Sequence, residues 1–307
     1  MDIGKGGRGM TSFGLRMAAV ITMLVDHVGV CVLACTPYQT LGTVMRSIGR
    51  MSFPLFAFLV VTGCAHTRSR RRYFGRMMAL AVLSQLPYAI FTGLFSHPAA
   101  PVEGIVISWL PAGEMLGRLL LAAVCLWCWW SRYNERGLGD PVGWLLCAAL
   151  GVMACPVSLR WGWLTLPGEL NIFYQLGLGI YLFSAAERAG REGDRPALLL
   201  PGILAAFLLP EGYGLAGTVL LAALVSCRSR TKSQATVVLL WGICYHLVFL
   251  PSMGLLVYCL YALGMAVGAG LVALYNGKPG PRTGRLFYWI YPLQFLVISA
   301  VARQAFF

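Results

Sequence analysis

Residues 13–34 read FGLRMAAVITMLVDHVGVCVLA, a stretch in which nearly every side chain is apolar or small. A helix that crosses the hydrocarbon core of a bilayer needs about 20 mostly apolar residues, so this stretch predicts a membrane-spanning helix. Three of its residues, Arg16, Asp26 and His27, are ionisable. Ionisable side chains inside a span are costly and mark candidate functional sites. The stretch therefore predicts both the class of fold and the place of the chemistry.

The composition of the whole chain is also that of a membrane protein. Of 307 residues, 58% are hydrophobic and 11% are charged, and the mean hydropathy is +0.73. A soluble domain has about 25% charged residues, and a disordered chain combines low hydrophobicity with high charge, so both classes are excluded. The prediction is an all-α, polytopic transmembrane helix bundle. It is a single integral membrane domain over residues 1–307, in which residues 1–12 form a flexible N-terminal segment.

About ten to eleven apolar stretches are candidates for spans, and the shorter ones fit tilted or re-entrant helices. They cover residues 13–34, 51–66, 77–95, 115–130, 142–155, 172–186, 197–209, 215–227, 237–250, 255–275 and 286–302.

The loops between these stretches alternate in charge. The net charge of +13, from 24 Lys and Arg against 11 Asp and Glu, collects after every second stretch. The basic loops contain Arg68, Arg70, Arg71, Arg72 and Arg76, then Arg132 and Arg136, then Arg188, Arg191 and Arg195, then Arg228, Arg230 and Lys232, then Lys278, Arg282 and Arg285. The intervening loops hold Arg46, Arg50 and Arg160. Because basic residues collect in cytoplasmic loops, this pattern predicts a multi-pass cell-membrane protein with a cytoplasmic N-terminus and no nucleic-acid partner.

Arg16 and His27 are predicted to share one wall of a groove. Eleven residues bring two positions back to nearly the same helix face, about 16 Å apart along the axis. An arginine favours phosphate, and a histidine exchanges protons near neutral pH. A neighbouring Asp26 would orient or charge the ring. The alternative is that Arg16 reaches the lipid headgroups and Asp26–His27 is a buried structural pair.

Two further patterns bear on ligand binding. The segment CAHTRSRRRYFGR, from Cys64 to Arg76, has five arginines in nine residues. It predicts a site for an anionic cosubstrate, or else a topology anchor that touches anionic lipids. Cys125 and Cys128 form a C-x-x-C inside an apolar run with no second ligand pair nearby, so no metal is expected.

The order of several motifs resembles the TraX family, named for the F-pilin acetylase. The motifs are LRMAAVITMLVDHVG at 15–29, SIGRMSFPLFAFLVVTGCAHT at 47–67, RRYFGRMMALAVLSQLPY at 71–88, NIFYQLGLGIYLF at 171–183, EGYGLAGTVLLAAL at 211–224 and LFYWIYPLQFLVI at 286–298. The Arg16-x10-His27 spacing also resembles the signature of the broader transmembrane acyltransferases. This chain has YPLQ, ending in Gln294, where such proteins often have YPLH. A glutamine is not a base at neutral pH, which leaves His27 as the main candidate.

The resemblance implies a membrane-embedded acetyltransferase that uses acetyl-CoA as cosubstrate and no metal. His27 is expected to act as the base or as the acyl carrier, with Asp26 beside it. Acetyl-CoA is expected to contact Arg16, His66, Arg68, Arg72 and Arg76. The substrate is expected to contact Arg50, Asn171, Gln175, Glu211, Tyr213, Tyr291 and Gln294.

The acceptor and the partners stay open at this point. A peptide N-terminus, a sugar, or a small amine or alcohol all fit, and transfer across the membrane is compatible with the fold. Two other classes of function also fit: a transporter or flippase, and a non-catalytic assembly factor of a conjugation or export system. The lipid bilayer is an expected partner, and the flat apolar helix faces are compatible with a homodimer.

Overall fold

Helices make up most of the structure. The computed structural model describes residues 9–96, 101–136, 155–166, 169–192, 213–281 and 285–306, with isolated positions 143, 145, 148, 204 and 208. The α-helices are α1 Ser12–Cys35, α2 Gln39–Gly49, α3 Ser52–His66, α4 Arg70–Phe91, α5 Ala112–Arg136, α6 Ile172–Glu192, α7 Gly214–Ser226, α8 Thr231–Leu247, α9 Leu250–Ala273 and α10 Ile290–Phe306. A π-helical turn, Thr92–Ser96, continues α4, and a 3-10 turn, Arg285–Trp289, precedes α10. The all-α prediction is confirmed, and the stretches predicted at 142–155 and 197–209 lie outside the described residues except for a few single positions.

Four helical segments of the described chain are long and apolar enough to cross a membrane. They are Ser12–Cys35, Gln39–His66, Arg70–Phe95 and Leu250–Ala273. The helix Gly214–Ser226 is also apolar but shorter. These segments identify the chain as a membrane protein.

The chain divides into two compact units, each built from separate parts of the sequence. Unit 1 comprises residues 1–62, 220–290 and 297–307, and unit 2 comprises residues 63–219 and 291–296. Unit 1 therefore contains α1, α2, α8 and α9. Unit 2 contains α4, α5 and α6.

Unit 1 is built from two antiparallel helical hairpins. In the first, α2 folds back along the C-terminal half of α1, and the helices approach closely where one lacks a side chain. A Cβ at Gly42 would lie 2.6 Å from Leu33 Cγ, and one at Gly49 would overlap the side chain of Asp26. In the second, α8 and α9 meet where Gly242 faces Met265.

The two hairpins of unit 1 pack together through α2 and α9. Gly264 of α9 lies against the carbonyl oxygen of Ser47, so that any side chain at Gly264 would overlap the backbone of α2. The two helices run in the same direction, because Gly268, one turn later on α9, faces Met51. This packing brings residues 46–50 against both α1 and α9.

The beginning of α1 is fixed to the turn that follows α9. Thr11 caps the helix by accepting a hydrogen bond from Gly14 N at 3.2 Å. Met10 N donates to Leu274 O at 2.8 Å, and Asn276 N donates to Met10 O at 2.9 Å. These hydrogen bonds tie Met10 to the residues that follow α9, and the flexible segment expected at residues 1–12 stays a prediction.

Unit 2 is organised around the antiparallel pair α4 and α6. Asn171 caps α6 by accepting from Phe173 N at 3.1 Å. Its amide nitrogen donates to Ala81 O at 2.7 Å and to Gln85 Oε1 at 2.9 Å. The capping residue of one helix is therefore tied to the middle of the other.

Residues 39–49 correct the sequence analysis, which placed them in an outer loop. They form α2, and the candidate span Gln39–His66 joins α2 to α3. A short segment that carries Arg46 and Arg50 looks like a loop because arginines are costly within a span. In the structure both guanidiniums are paired, as described below.

A three-stranded antiparallel sheet lies in two regions that were predicted to be loops. The strands are β1 Val102–Trp109, β2 Val157–Gly162 and β3 Leu164–Leu166, in the order β1-β2-β3. Val106 pairs with Arg160, and Arg160 in turn pairs with Thr165. The sheet belongs to unit 2, where Gly93 of the π-helical turn lies against the carbonyl oxygen of Trp163.

Candidate functional site

The helix α1 carries three of the predicted site residues. Arg16 and His27 both lie within Ser12–Cys35, so the prediction that one continuous helix joins them is confirmed. Arg16 lies near the start of the helix, with its guanidinium carbon 5.6 Å from the centre of the Phe287 ring. His27 is half-buried, in the middle of the helix beside Asp26.

The carboxylate of Asp26 bridges two arginines of the following helical segment. Arg46 Nη1 donates to Asp26 Oδ2 at 2.7 Å, and Arg50 Nη2 donates to Asp26 Oδ1 at 3.1 Å. The three side chains are only 12–24% exposed. Charge-assisted hydrogen bonds in such surroundings are strong. That Asp26 orients or charges the ring of His27 stays a prediction. In the structure its carboxylate accepts hydrogen bonds from Arg46 and Arg50.

The Asp26–Arg46–Arg50 cluster carries a net positive charge. Two guanidiniums share one carboxylate, and residues 1–62 and 220–290 contain no other acidic residue than Asp2. Arg50 also lies over an aromatic ring, with its Cζ atom 5.2 Å from the centre of Tyr261. A cluster with one excess positive charge in a poorly solvated place favours an anionic group.

His246 lies next to this cluster, although no acidic residue stands near it in the sequence. Its side chain is 1% exposed, and its ring centre lies 5.1 Å from that of Tyr261. The two residues that sequence reasoning missed here, Arg46 and His246, come from segments distant in sequence. Their place in the site depends on how α2 and α8 pack against neighbouring helices, so the sequence alone does not indicate it.

Two arginines of the cluster in unit 2 contact neighbouring helices. Arg70 forms an ion pair with Glu187 at 2.7 Å, and its guanidinium carbon lies 5.0 Å from the centre of the Phe183 ring. Arg71 lies over Trp127, with 4.6 Å between the guanidinium carbon and the ring centre. These two arginines therefore tie α4 to α6 and α5.

The residues of this segment that were expected to contact the cosubstrate are all exposed, and so is Arg71. They are His66, Arg68, Arg72 and Arg76. Arg76 contacts Tyr73 of its own helix, with 5.9 Å between the guanidinium carbon and the ring centre. Within the described residues, Arg68 and Arg72 form no ion pair, so their charges are not offset by a neighbouring carboxylate.

The polar residues predicted to line a substrate cavity are mostly buried among helices of unit 2. Asn171 has its hydrogen-bonding groups occupied by the helix cap and by α4, so packing accounts for it. Gln175 Nε2 donates to Gly214 O at 2.7 Å. Tyr291 packs on Phe173 with 4.4 Å between ring centres, and Gln294 is 6% exposed. Tyr213 is half-buried, and Glu211 lies outside the described residues.

The predicted site residues thus form two groups. Arg16, Asp26, His27 and Arg50 belong to unit 1, where the structure joins Asp26 to Arg50. The other residues expected to hold the cosubstrate, from His66 to Arg76, belong to unit 2, together with Asn171, Gln175 and Tyr291. The assignment of each residue to a ligand stays a prediction.

Comparison with known proteins gives a family for this arrangement. A family model described as "TraX protein" matches residues 14–175 and 142–302. A curated relative from Dichelobacter nodosus, "Probable fimbrial assembly protein FimC, serogroup H1", is 28% identical over 124 residues, which are 40% of this chain and 48% of the relative. The match therefore spans about half the length of that relative. No solved structure matches the chain.

Proposed function

The chain belongs to the TraX family, and from this membership and the α1 site we propose that it is a membrane-embedded acetyltransferase. It takes the acetyl group from cytoplasmic acetyl-CoA and passes it to an amine or hydroxyl acceptor. The single observation that supports this most is the presence of Arg16, Asp26 and His27 on one membrane-spanning helix. Such residues are expensive inside a bilayer, which makes them candidates for chemistry rather than packing.

The cosubstrate is held by its phosphates. We assign the contacts with these phosphates to Arg16, His66, Arg68, Arg72 and Arg76. Arg68 and Arg72 support the assignment because both are exposed and, in the described part of the chain, outside any ion pair, unlike Arg70. A guanidinium that is not already neutralised is the group that binds a phosphate best.

His27 moves the proton or carries the acetyl group. In the first route, the acceptor nitrogen or oxygen attacks the thioester carbonyl carbon while His27 takes the acceptor proton. The carbon–sulfur bond then breaks, and the proton passes to the departing thiolate, giving the acetylated acceptor and free CoA thiol. In the second route, a His27 ring nitrogen displaces the thiolate and holds the acetyl group until the acceptor arrives.

The acceptor is a subunit of a surface fibre. The family takes its name from a pilin acetylase, and the relative from Dichelobacter nodosus carries a name for fimbrial assembly. Both names favour the amino terminus of a pilin-like subunit over a sugar as the acceptor. Transfer to such a subunit would place the enzyme in the cell membrane, with the arginine-rich loop of residues 68–76 on the cytoplasmic side.

The test uses the whole protein, purified in detergent. Acetyl-CoA binding is measured by calorimetry and acetyl release by the appearance of free CoA thiol. His27→Ala is expected to lower the rate of thiol release by at least about 100-fold without changing the affinity for acetyl-CoA. Arg68→Ala combined with Arg72→Ala is expected to weaken binding of acetyl-CoA about tenfold.

The matched control is Arg230→Ala, which removes an exposed basic residue from another predicted cytoplasmic loop. It should leave both binding and thiol release unchanged. A His27→Ala variant with full activity and an unaltered unfolding temperature would contradict the mechanism.

A non-catalytic role in assembly is the second candidate, because the printed name of the relative refers only to assembly. The two functions differ in what His27→Ala does in cells that assemble fibres. An enzyme loses acetylation of the subunit in this variant. If the protein is an assembly factor, fibres still form in the variant, and acetylation of the subunit does not depend on His27.

A further inference from the structure

The imidazole of His246 uses one of its two nitrogens. Nδ1 lies 2.8 Å from the carbonyl oxygen of Gly242, one turn earlier in α8. Nε2 is buried and has no hydrogen-bond partner within the described residues. Buried polar atoms are nearly always hydrogen-bonded, so a ring nitrogen in this state points to a missing ligand group.

The hydrogen bond to Gly242 fixes the tautomer of the ring. A carbonyl oxygen only accepts, so Nδ1 must carry the proton that is donated to it. In the neutral imidazole, Nε2 then has a free lone pair and accepts a hydrogen bond. The missing group is therefore a donor, such as an amine or a hydroxyl.

The surroundings of His246 indicate a second chemical group on that ligand. His246 and Arg50 flank the same ring, with Tyr261 5.1 Å from the imidazole centre and 5.2 Å from the Arg50 guanidinium carbon. Arg50 belongs to the cluster with Arg46 and Asp26, which has one positive charge in excess. A ligand that donates to His246 and also carries an anionic oxygen would satisfy both features.

We propose that His246 and the Asp26–Arg46–Arg50 cluster form the binding site for the acyl acceptor, and that the acceptor is an anionic amine or hydroxyl compound. An N–H or O–H of the acceptor, other than the one whose proton His27 removes, donates to His246 Nε2. A carboxylate or phosphate of the same molecule lies at the guanidiniums of Arg46 and Arg50. This inference rests on the proposed acetyltransferase function and narrows its acceptor to a compound that carries a negative charge near the group to be acetylated.

The probe is a matched pair of dipeptides. Glycylglycine and glycylglycinamide have the same attacking amine and differ only in the carboxylate. The proposal expects glycylglycine to be the better acceptor by about tenfold in kcat/KM, because one charge-assisted hydrogen bond is lost with the amide. It also expects glycylglycine, and not the amide, to raise the unfolding temperature of the protein.

The discriminating variant is His246→Asn. An asparagine amide can still donate to the Gly242 carbonyl, as Nδ1 does, but it places no acceptor where Nε2 was. The KM for glycylglycine should rise about tenfold, while the affinity for acetyl-CoA stays as in the wild type. A variant that had merely misfolded would lose all of these together, which the unfolding temperature also reports.

The outcomes separate the two proposals. If the wild-type protein neither binds acetyl-CoA nor releases thiol, the proposed function is overturned. The acceptor site is then still tested by whether glycylglycine raises the unfolding temperature. Equal use of the two dipeptides, or an unchanged KM in His246→Asn, overturns the acceptor site. That result would mean that a water molecule alone satisfies Nε2.

Discussion

At the scale of single residues, Asp26 decides how two arginines are tolerated inside the membrane domain. An isolated guanidinium in a span is costly, and Arg46 and Arg50 are one helical turn apart. The carboxylate of Asp26 receives a hydrogen bond from each, at 2.7 and 3.1 Å. Its place opposite Gly49 brings it close enough to reach both. The same residue therefore serves the packing of α1 against α2 and sets the charge of the proposed acceptor site.

Replacing this carboxylate is expected to destabilise the protein through repulsion. Asp26→Asn keeps the shape of the side chain but leaves two positive charges side by side, at a cost of about 2–4 kcal/mol for a partly buried site. The unfolding temperature in detergent measures this loss. The double variant Asp26→Asn with Arg46→Gln should be more stable than Asp26→Asn alone, because one of the repelling charges is gone. An Asp26→Asn single variant as stable as the wild type would contradict this account.

At the scale of the elements, the sequence predicted the long apolar helices and missed the short polar ones. α1 was expected at 13–34 and spans Ser12–Cys35, because its apolar residues alone define it. α2 was missed because its arginines are acceptable only when Asp26 of another helix neutralises them. The strands were missed because β1 pairs with β2, some fifty residues later, which no local pattern indicates.

The residues of the candidate site divide in the same way, into those on one helix and those that packing brings together. Arg16 and His27 could be found from sequence because they lie on one helix, where spacing translates directly into position. The contacts of Asp26 with Arg46 and of Arg50 with Tyr261 depend on the packing of three helices. His246 has no neighbouring acid in sequence, so its relation to Arg50 could not be predicted.

Two helix glycines of unit 1 yield predictions of opposite sign. A Cβ at Gly49 would overlap Asp26, whereas one at Gly270 in α9 meets nothing within 4 Å. Gly49→Ala should therefore separate the helices and lower stability by about 1–3 kcal/mol. Gly270→Ala should raise stability by about 0.5–1 kcal/mol, because alanine loses less backbone entropy in a helix. Unfolding temperatures of the two variants in the same detergent check both signs, and a neutral Gly49→Ala would refute the close packing.

At the scale of the whole molecule, the helical hairpins of unit 1 sort its charged turns to one end. The pairing of Gly242 with Met265 sets the α7–α8 turn beside the turn that follows α9. The start of α1 is bound to that second turn through Met10 and Leu274. This end carries Arg228, Arg230, Lys232 and Lys278, whereas the α1–α2 turn at 36–38 and the α8–α9 turn at 248–250 have no basic residue.

This separation of charge predicts the orientation of the protein in the membrane. Basic turns stay on the cytoplasmic side, so Lys278 should face the cytoplasm and Tyr38 of the α1–α2 turn should face outward. Both side chains are exposed, which makes Tyr38→Cys and Lys278→Cys suitable labelling sites in a background without the native cysteines. In intact cells a membrane-impermeant maleimide should label the first variant, and it should reach the second only after the membrane is permeabilised. The reverse pattern would place the arginines assigned to acetyl-CoA outside the cell, where that cosubstrate is absent, and would overturn the orientation on which the proposed reaction depends.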